Sequence, residues 1–312
     1  MRHLFFFATI LFCAAKIFAS EPSDTTRLQL APTITSSVGA IAINAAATEI
    51  LKHSIHELRP DRSANNSFPS RHTSWAFTAS TVLSNELYRY SPWWSIGSQV
   101  AASAVGIQRI AAGRHWGSDV IAGAVSGIIS TELAYFITRK IFKETSPWQN
   151  SVPYDFRPTL SVSSQAIYWL NSPDGMTLCT GVGTDIRFRL PVAEHWGLSA
   201  TARVSSTPVK TLPATPASTL SAVGASVGIS GSMNLPGDRL GLVCSLETGC
   251  HRWIAKKEIR RSDYSFDVEA AAGLEWHITS SFGCRGAVAY NMATMSSAVH
   301  AITLSLSSLV IF

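Results

Sequence analysis

Two hydrophobic patterns divide the chain. From about residue 28 to 142 the apolar positions follow a helical period, which predicts helices near 33–52, 72–89, 95–110 and 116–142. Beyond residue 158 that period disappears, and apolar and polar residues alternate as they do in strands. The alternation predicts eight strands near 159–170, 176–190, 196–206, 218–235, 239–249, 263–278, 281–293 and 299–312.

The alternation is clearest between Asp263 and Ile278, where one face is apolar and the other carries Asp267, Glu269 and Glu275. Eight strands of this length, apolar on one side and polar on the other, are typical of a small outer-membrane β-barrel. Longer connections near 207–217 and 250–262 fall at one end, and short turns at the other. The predicted fold class is two-domain α plus β: an N-terminal all-α helical bundle followed by a C-terminal antiparallel β-barrel of eight strands, outer-membrane type.

A soluble β-sandwich also alternates and is the alternative for the second half. A barrel of eight strands has an interior just filled by side chains, so we expect it to act as an anchor rather than a pore. The terminal Phe312 resembles the aromatic carboxyl-terminal residue of outer-membrane proteins.

The domain limits follow from these patterns. Residues 1–20 form a short apolar run closed by small residues, which indicates a signal peptide, with an uncleaved anchor as the alternative. The helical domain is assigned to 28–142, a proline-containing linker to 143–157 and the barrel to 158–312. The helix after Asp119 could span a bilayer by length, but a central bundle helix would have the same composition. We expect a compact bundle rather than an embedded one.

Composition indicates contact with a membrane. Charged residues make up 14% of the chain and hydrophobic residues 46%, which is low in charge for a soluble domain. The net charge of +5 is scattered, and no basic stripe with interleaved aromatics predicts nucleic acid as a partner. The cysteines beyond residue 20 have no metal-ligand spacing, and the sequence assigns neither a disulfide nor an oligomeric state.

Candidate chemistry is concentrated between residues 52 and 119. A phosphoryl group in transfer needs fixed cations and hydrogen-bond donors around one position. His115 and Asp119 are four residues apart on one helix face, so the carboxylate can orient the imidazole as a nucleophile. His72 is a second imidazole that can protonate the leaving group. The scheme needs no metal and no cofactor. The cations and donors form three clusters in order: Lys52 with Arg59, Ser70 with Arg71 and His72, and Arg109 with His115 and Asp119.

This spacing resembles the signature of the type 2 phosphatidic acid phosphatase and vanadium haloperoxidase superfamily. The resemblance implies that Lys52, Arg59, Ser70 and Arg109 bind phosphate, that His72 is the general acid, and that His115 and Asp119 form the nucleophilic pair. Two positions depart from the common pattern, because Arg71 replaces a usual glycine and Gln108 a usual serine. Arg71 could add a phosphate contact or narrow the pocket.

The predicted function is a metal-independent phosphatase that cleaves a phosphate monoester or pyrophosphate through a phosphohistidine. Its substrate would be a phosphorylated lipid, namely phosphatidate, phosphatidylglycerol phosphate, an isoprenoid pyrophosphate or lipid A, or else a soluble phosphate ester. The alternatives are a vanadate-dependent haloperoxidase and a structural or adhesion barrel with an accessory phosphatase domain.

The predicted location is the bacterial outer membrane, whose lipid would contact the barrel. A linker of about fifteen residues reaches roughly 50 Å. We therefore expect the phosphatase domain in the periplasm, near the periplasmic rim of the barrel.

Overall fold

The computed structural model describes residues 30–88, 90–143, 153–173, 176–211, 218–236, 239–255, 264–294 and 297–312. The predicted signal peptide lies outside these residues, as does the predicted linker between 144 and 152. Four helices come first: α1 (Leu30–Ser54), α2 (Arg71–Leu87), α3 (Trp93–Ala111) and α4 (Gly117–Phe142). They match the four predicted helices to within a few residues at each end.

Local sequence explains where the helices begin and end. Ser70 is the N-cap of α2, and its side chain accepts a hydrogen bond from the Thr73 N–H. Pro92 precedes α3, where its fixed φ suits a helix start. Gly113 has a φ of +72° in the turn between α3 and α4, a conformation that favours glycine. Lys143 ends α4 in the left-handed region.

The second half folds into nine strands that form one closed sheet. The strand order is β2-β4-β3-β1-β9-β8-β7-β6-β5, and pairing of β4 with β5 closes the ring. Every pairing is antiparallel, and β2 pairs only with β4. The barrel therefore has eight strands, β1 and β3 to β9, which confirms the predicted fold class. The strands are β1 (Thr159–Trp169), β2 (Met176–Leu178), β3 (Gly181–Pro191), β4 (Trp196–Thr211), β5 (Ser218–Asn234), β6 (Leu240–Ala255), β7 (Tyr264–His277), β8 (Phe282–Thr294) and β9 (Ala298–Ile311).

One predicted strand is divided in the structure. The pattern from 176 to 190 was read as a single strand, whereas Cys179 and Thr180 separate β2 from β3. The Cys179 N–H donates to the carbonyl of Pro208, and proline itself has no N–H to return to the ladder. Alternation alone does not reveal this break.

The barrel has a charged interior and an apolar exterior. Arg189 is 1% exposed and Glu275 0%, and two hydrogen bonds of 2.7 and 2.8 Å join them. On the outer face Phe266 is 71% exposed and Val227 61%. The interior holds a cavity of only about 50 Å³. Polar residues inside and apolar residues outside are the reverse of a soluble protein and are the pattern of a barrel surrounded by lipid.

The helical bundle packs against the outer wall of the barrel. Ile96 of α3 contacts Val162 of β1 and Val310 of β9. Further along α3, the Gln99 amide donates to the carbonyl of Leu306 at 3.0 Å, and the hydroxyl oxygens of Ser103 and Ser164 are 2.7 Å apart. Both polar contacts join α3 to outward-facing positions of the barrel strands, in β9 and β1 respectively.

The carboxyl end of α3 lies at the edge of the barrel where β5 begins. The Thr219 hydroxyl, at the start of β5, donates to the carbonyl of Ile110 at 3.2 Å. At the other edge Tyr88, just after α2, packs on Phe282 at the start of β8, with ring centroids 5.3 Å apart. The bundle thus lies along the barrel wall from one edge to the other rather than beside the rim nearest the linker.

The outer surface of the bundle is also apolar. Leu133 is 44% exposed, Ile129 60% and Phe136 58%, and they form a stripe along α4. Two helical segments, Ala31–Ser54 and Gly117–Phe142, are long and apolar enough to cross a membrane by length and composition. The expected compact bundle would have buried this stripe. Its exposure, next to an apolar barrel exterior, makes one continuous apolar surface.

Candidate active site

The predicted site residues lie at one end of the bundle, where four helix ends and the loop 55–70 meet. Backbone hydrogen bonds hold this loop against the start of α4: the Ser70 N–H donates to the Asp119 carbonyl at 2.9 Å, and the Asp61 N–H to the Gly113 carbonyl at 3.2 Å. The indole N–H of Trp116 donates to the carbonyl of Leu58 at 2.8 Å. These contacts bring residues about fifty positions apart into one site.

His115 and Asp119 are the most deeply placed pair. The exposed fraction of the two side chains is 5% and 0%, and the distance from His115 Nδ1 to Asp119 Oδ2 is 3.6 Å. His115 Nδ1 has a closer partner, the carbonyl oxygen of Ser67 at 2.9 Å. A carbonyl can only accept, so this contact places the proton on Nδ1 and leaves Nε2 with its lone pair. The imidazole is therefore oriented with Nε2 free to attack.

Asp119 is held by donors from both sides of the site. The Ser67 hydroxyl donates to its Oδ2 at 2.5 Å, and the Trp116 N–H donates to the same oxygen at 2.8 Å. Ser67 thus contacts His115 through its carbonyl and Asp119 through its hydroxyl. This arrangement fixes the positions of both members of the predicted nucleophilic pair.

Three predicted phosphate-binding cations, Lys52, Arg59 and Arg109, lie at the same end of the bundle as this pair. Lys52 lies in the last turn of α1, and its ammonium donates to the Asn66 carbonyl at 2.8 Å. It interacts electrostatically with Arg59, Arg71 and Asp119. Arg109, in the last turn of α3, interacts in the same way with Arg59. The buried Nε of Arg59 makes no hydrogen bond within the described part of the chain. Like charges held close to one another repel, and a bound anion would relieve this repulsion.

The second predicted cluster consists of Ser70, Arg71 and His72, and the three side chains have different surroundings. Ser70 is fully buried, and its hydroxyl lies 2.9 Å from that of Thr73 while capping α2. The guanidinium of Arg71 forms an ion pair with Glu49 of α1. His72 lies exposed in the first turn of α2. The structure brings Ser70 against the nucleophilic pair through its backbone, and it directs Arg71 toward α1.

Glu57 is a residue of the site that the sequence analysis did not select. Its carboxyl lies beside that of Asp119, and burial together with this neighbouring negative charge raises the pKa of Glu57 to about 7. Asp119 Oδ1 is buried and has no other hydrogen-bond partner among the described atoms. A proton on Glu57 can therefore be shared with Asp119. In the sequence, the signal for Glu57 is that it is an acidic residue between two predicted phosphate-binding cations, Lys52 and Arg59.

The barrel also contributes to the edge of the site. The ammonium of Lys210, near the end of β4, lies 5.0 Å from the centre of the Trp116 ring and interacts with Glu57. Gly117 lies so close to the barrel that an added Cβ would be 1.7 Å from the Thr180 carbonyl oxygen. No sequence signal identifies Lys210, because only the packing of the bundle on the barrel brings it there.

The arrangement can bind an anion and attack it. Fixed cations and the amino end of α2 can hold oxygens of a phosphate group. The imidazole of His115, oriented by the Ser67 carbonyl, can attack the phosphorus of such a group, with Asp119 able to stabilise its positive charge. His72 is on the same end of the bundle and can exchange protons with solvent.

Known proteins similar in sequence match the helical half of the chain. Residues 33–143 match the model of the PAP2 superfamily. A stretch of 93 residues is 46% identical to a lipid A 1-phosphatase of Porphyromonas gingivalis and covers 30% of this chain and 21% of that protein. The chain thus spans about a fifth of the length of this relative.

Solved structures resemble the barrel half. The attachment invasion locus protein Ail of Yersinia pestis is 15% identical, with a TM-score of 0.35, over 51% of this chain and all of that chain. Neisserial surface protein A is 10% identical, with a TM-score of 0.38, over 50% of this chain and 97% of that chain. The barrel assignment rests on the strand pairing and on the distribution of polar and apolar residues described above.

Proposed function

We propose that this chain, whose residues 33–143 are a PAP2 superfamily domain, is a lipid phosphatase anchored in a bacterial outer membrane. The observation that carries the proposal is the buried His115–Asp119 pair, in which the Ser67 carbonyl holds Nδ1 of His115 and Lys52 interacts electrostatically with Asp119. The relative that acts as a lipid A 1-phosphatase supports a phosphorylated lipid as substrate. Lipid A is therefore the first candidate among the lipids considered.

The mechanism has two steps. His115 Nε2 attacks phosphorus, the bond from phosphorus to the leaving oxygen breaks, and His72 gives that oxygen a proton. Water then attacks the phosphohistidine, with His72 accepting its proton, and inorganic phosphate leaves. Asp119 stabilises the imidazolium that forms in the first step. The cations of the site supply the charge stabilisation that a metal ion would otherwise provide, so we propose a reaction without metal.

Phosphate release by detergent-solubilised protein tests this function. The panel contains a soluble aryl phosphate, phosphatidic acid, phosphatidylglycerol phosphate, undecaprenyl pyrophosphate and lipid A, with His115→Ala as the blank. We expect release from at least one lipid in the presence of a chelator and none from His115→Ala. Halide oxidation with bound vanadate and no phosphate release would instead support a haloperoxidase.

The polarity of the barrel supports a proposal for the side of the membrane that the site faces. Outer-membrane barrels keep short turns in the periplasm and longer loops outside. Here the short turns 192–195 and 278–281 lie at the end where β1 begins and β9 ends. At the opposite end β4 stops at Thr211 and β5 starts at Ser218, and β6 stops at Ala255 and β7 starts at Tyr264, so more residues separate these strands. The candidate site lies at this opposite end, beside Lys210. We therefore propose that it faces the outer surface.

The periplasmic location derived from the linker stays a prediction, and it requires the barrel to be inserted with the opposite polarity. Single cysteines in a cysteine-free chain distinguish the two orientations. Ser63→Cys places an exposed thiol at the site end, and Glu194→Cys places one in a short turn at the other end. A bulky, membrane-impermeant maleimide should label only Ser63→Cys on intact cells. Labelling of only Glu194→Cys would support the periplasmic location.

A further inference from the structure

A cleft lies between the bundle and the outer wall of the barrel. Its volume is about 500 Å³, and its lining is mainly apolar or small. It is bounded by α2, α3 and α4 on one side and by outward-facing residues of β1 and β9 on the other. The volume is that of a ligand pocket rather than of a packing defect.

The cleft begins next to the candidate active site. Val120, which directly follows Asp119, lines its upper end together with Gly106, three residues before Arg109. Val120 also packs with Ile110 and Val182 in an apolar cluster. A chain lying in the cleft would therefore have its end within one helical turn of the nucleophilic pair.

The length of the cleft matches one leaflet of a bilayer. Its lining along α4 includes Val120, Ala124, Ile128 and Glu132, which follow one another at intervals of four residues. At 1.5 Å per residue this face extends roughly 18 Å. Half of a hydrocarbon core about 30 Å thick is about 15 Å.

The cleft is open to the surroundings of the protein along its side. Val125, Leu304 and Leu306 line it and are still 46%, 43% and 46% exposed. These residues belong to the apolar surface that the bundle and the barrel share. In a bilayer the cleft therefore opens directly to lipid chains, and an empty apolar cleft there would be filled by them.

We propose that this cleft binds an acyl chain of the phosphorylated lipid substrate and positions its phosphate at His115. The inference rests on the proposed phosphatase function and adds the site that recognises the hydrophobic part of the substrate. Burial of each methylene in such a cleft strengthens binding by about two- to fourfold. Chain length should therefore control KM, while the reacting group is unchanged.

Water-soluble n-alkyl phosphates from butyl to decyl test the proposal. In the wild-type protein KM should fall by about two- to fourfold for each added methylene. Ala124→Phe places a ring in the upper cleft and should abolish this dependence while butyl phosphate is still cleaved. Ala101→Phe, at an exposed position of α3 outside the cleft, is the matched control and should keep the wild-type dependence.

A second variant covers the case in which Ala124→Phe loses turnover of butyl phosphate. Ile128→Trp blocks the cleft one turn further from His115, so KM should fall over the short chains and level off for the long ones. A wild-type KM independent of chain length, or an unchanged dependence in both variants, would overturn the proposal while leaving a phosphatase. Absence of phosphate release from every ester would refute the phosphatase function as well.

Discussion

Replacement of Gly117 by alanine tests whether the bundle docks on the barrel as described. Gly117 is buried at the start of α4, and its backbone is helical, so space rather than conformation requires glycine there. An added Cβ would lie 1.7 Å from the carbonyl oxygen of Thr180, whereas even a tight contact needs 3.0 Å. Because the obstacle is backbone, α4 or β3 must move by more than 1 Å.

This movement should affect both stability and activity. Overpacking of this kind costs about 1–3 kcal/mol. His115 and Asp119 flank Gly117, and a misplacement of about 1 Å in a catalytic site can cost about 100-fold in rate. We therefore expect kcat/KM for a soluble aryl phosphate to fall by about two orders of magnitude in Gly117→Ala.

Gly97→Ala is the matched control for this substitution. Gly97 lies on the exposed face of α3, and nothing lies within 4 Å of an added Cβ. This change should leave activity unaltered and stabilise the helix by about 0.5–1 kcal/mol. Wild-type kcat/KM and wild-type thermal stability in Gly117→Ala would refute the close packing of α4 on the barrel.

Three further predictions follow from named contacts. Above pH 7 Glu57 loses the proton that it can share with Asp119, so kcat/KM should fall as the pH rises, with an apparent pKa near 7. Glu57→Gln should remove this fall from the pH profile. An unchanged fall in that variant would exclude Glu57 as its source. Asp119→Asn should lower kcat by about 10³-fold or more with little change in KM, and a KM effect alone would contradict the orienting role. Arg189→Met should destabilise the barrel by about 3–5 kcal/mol in denaturant titrations, because it leaves the buried Glu275 beside His277 but without its guanidinium partner. The double variant Arg189→Met/Glu275→Leu should recover most of that loss, and failure to recover it would show that the pair does more than neutralise charge.

Much of the fold is predictable from periodicity alone. The α4 segment is long and apolar, and β7 alternates without a break from Tyr264 to His277, so both elements are predicted with nearly correct limits. The break at Cys179 is not predictable, because it depends on a hydrogen bond to Pro208 in another strand. Nor is the docking of α3 on the barrel, since Gln99 and Ser103 have no local signal for partners in β1 and β9.

In the candidate site, too, some features are predictable from the sequence and others are not. His115 and Asp119 are recognisable from their separation of four residues, but the expectation that they share a helix face is wrong, because His115 lies in the turn before α4 and Trp116 is the extended N-cap between them. Ser67 and Glu57 lie in a loop, and their contacts with this pair depend on how the loop folds over the start of α4. The sequence predicts that Arg71 adds a phosphate contact or narrows the pocket, and it does not reveal the ion pair with Glu49, which depends on the neighbouring helix α1. The number of residues between motif positions gives no information on contacts that depend on a folded loop or on a neighbouring helix.

Transfer of a labelled phosphoryl group to the protein tests the central claim most directly. The solubilised wild-type protein is mixed with a lipid substrate carrying ³²P in its phosphate group, quenched in alkali during turnover and digested. We expect an acid-labile, alkali-stable label on the peptide that contains His115, and no label in His115→Ala. Turnover with no label on the protein, or with the label on a peptide containing His72 instead, would contradict His115 as the nucleophile.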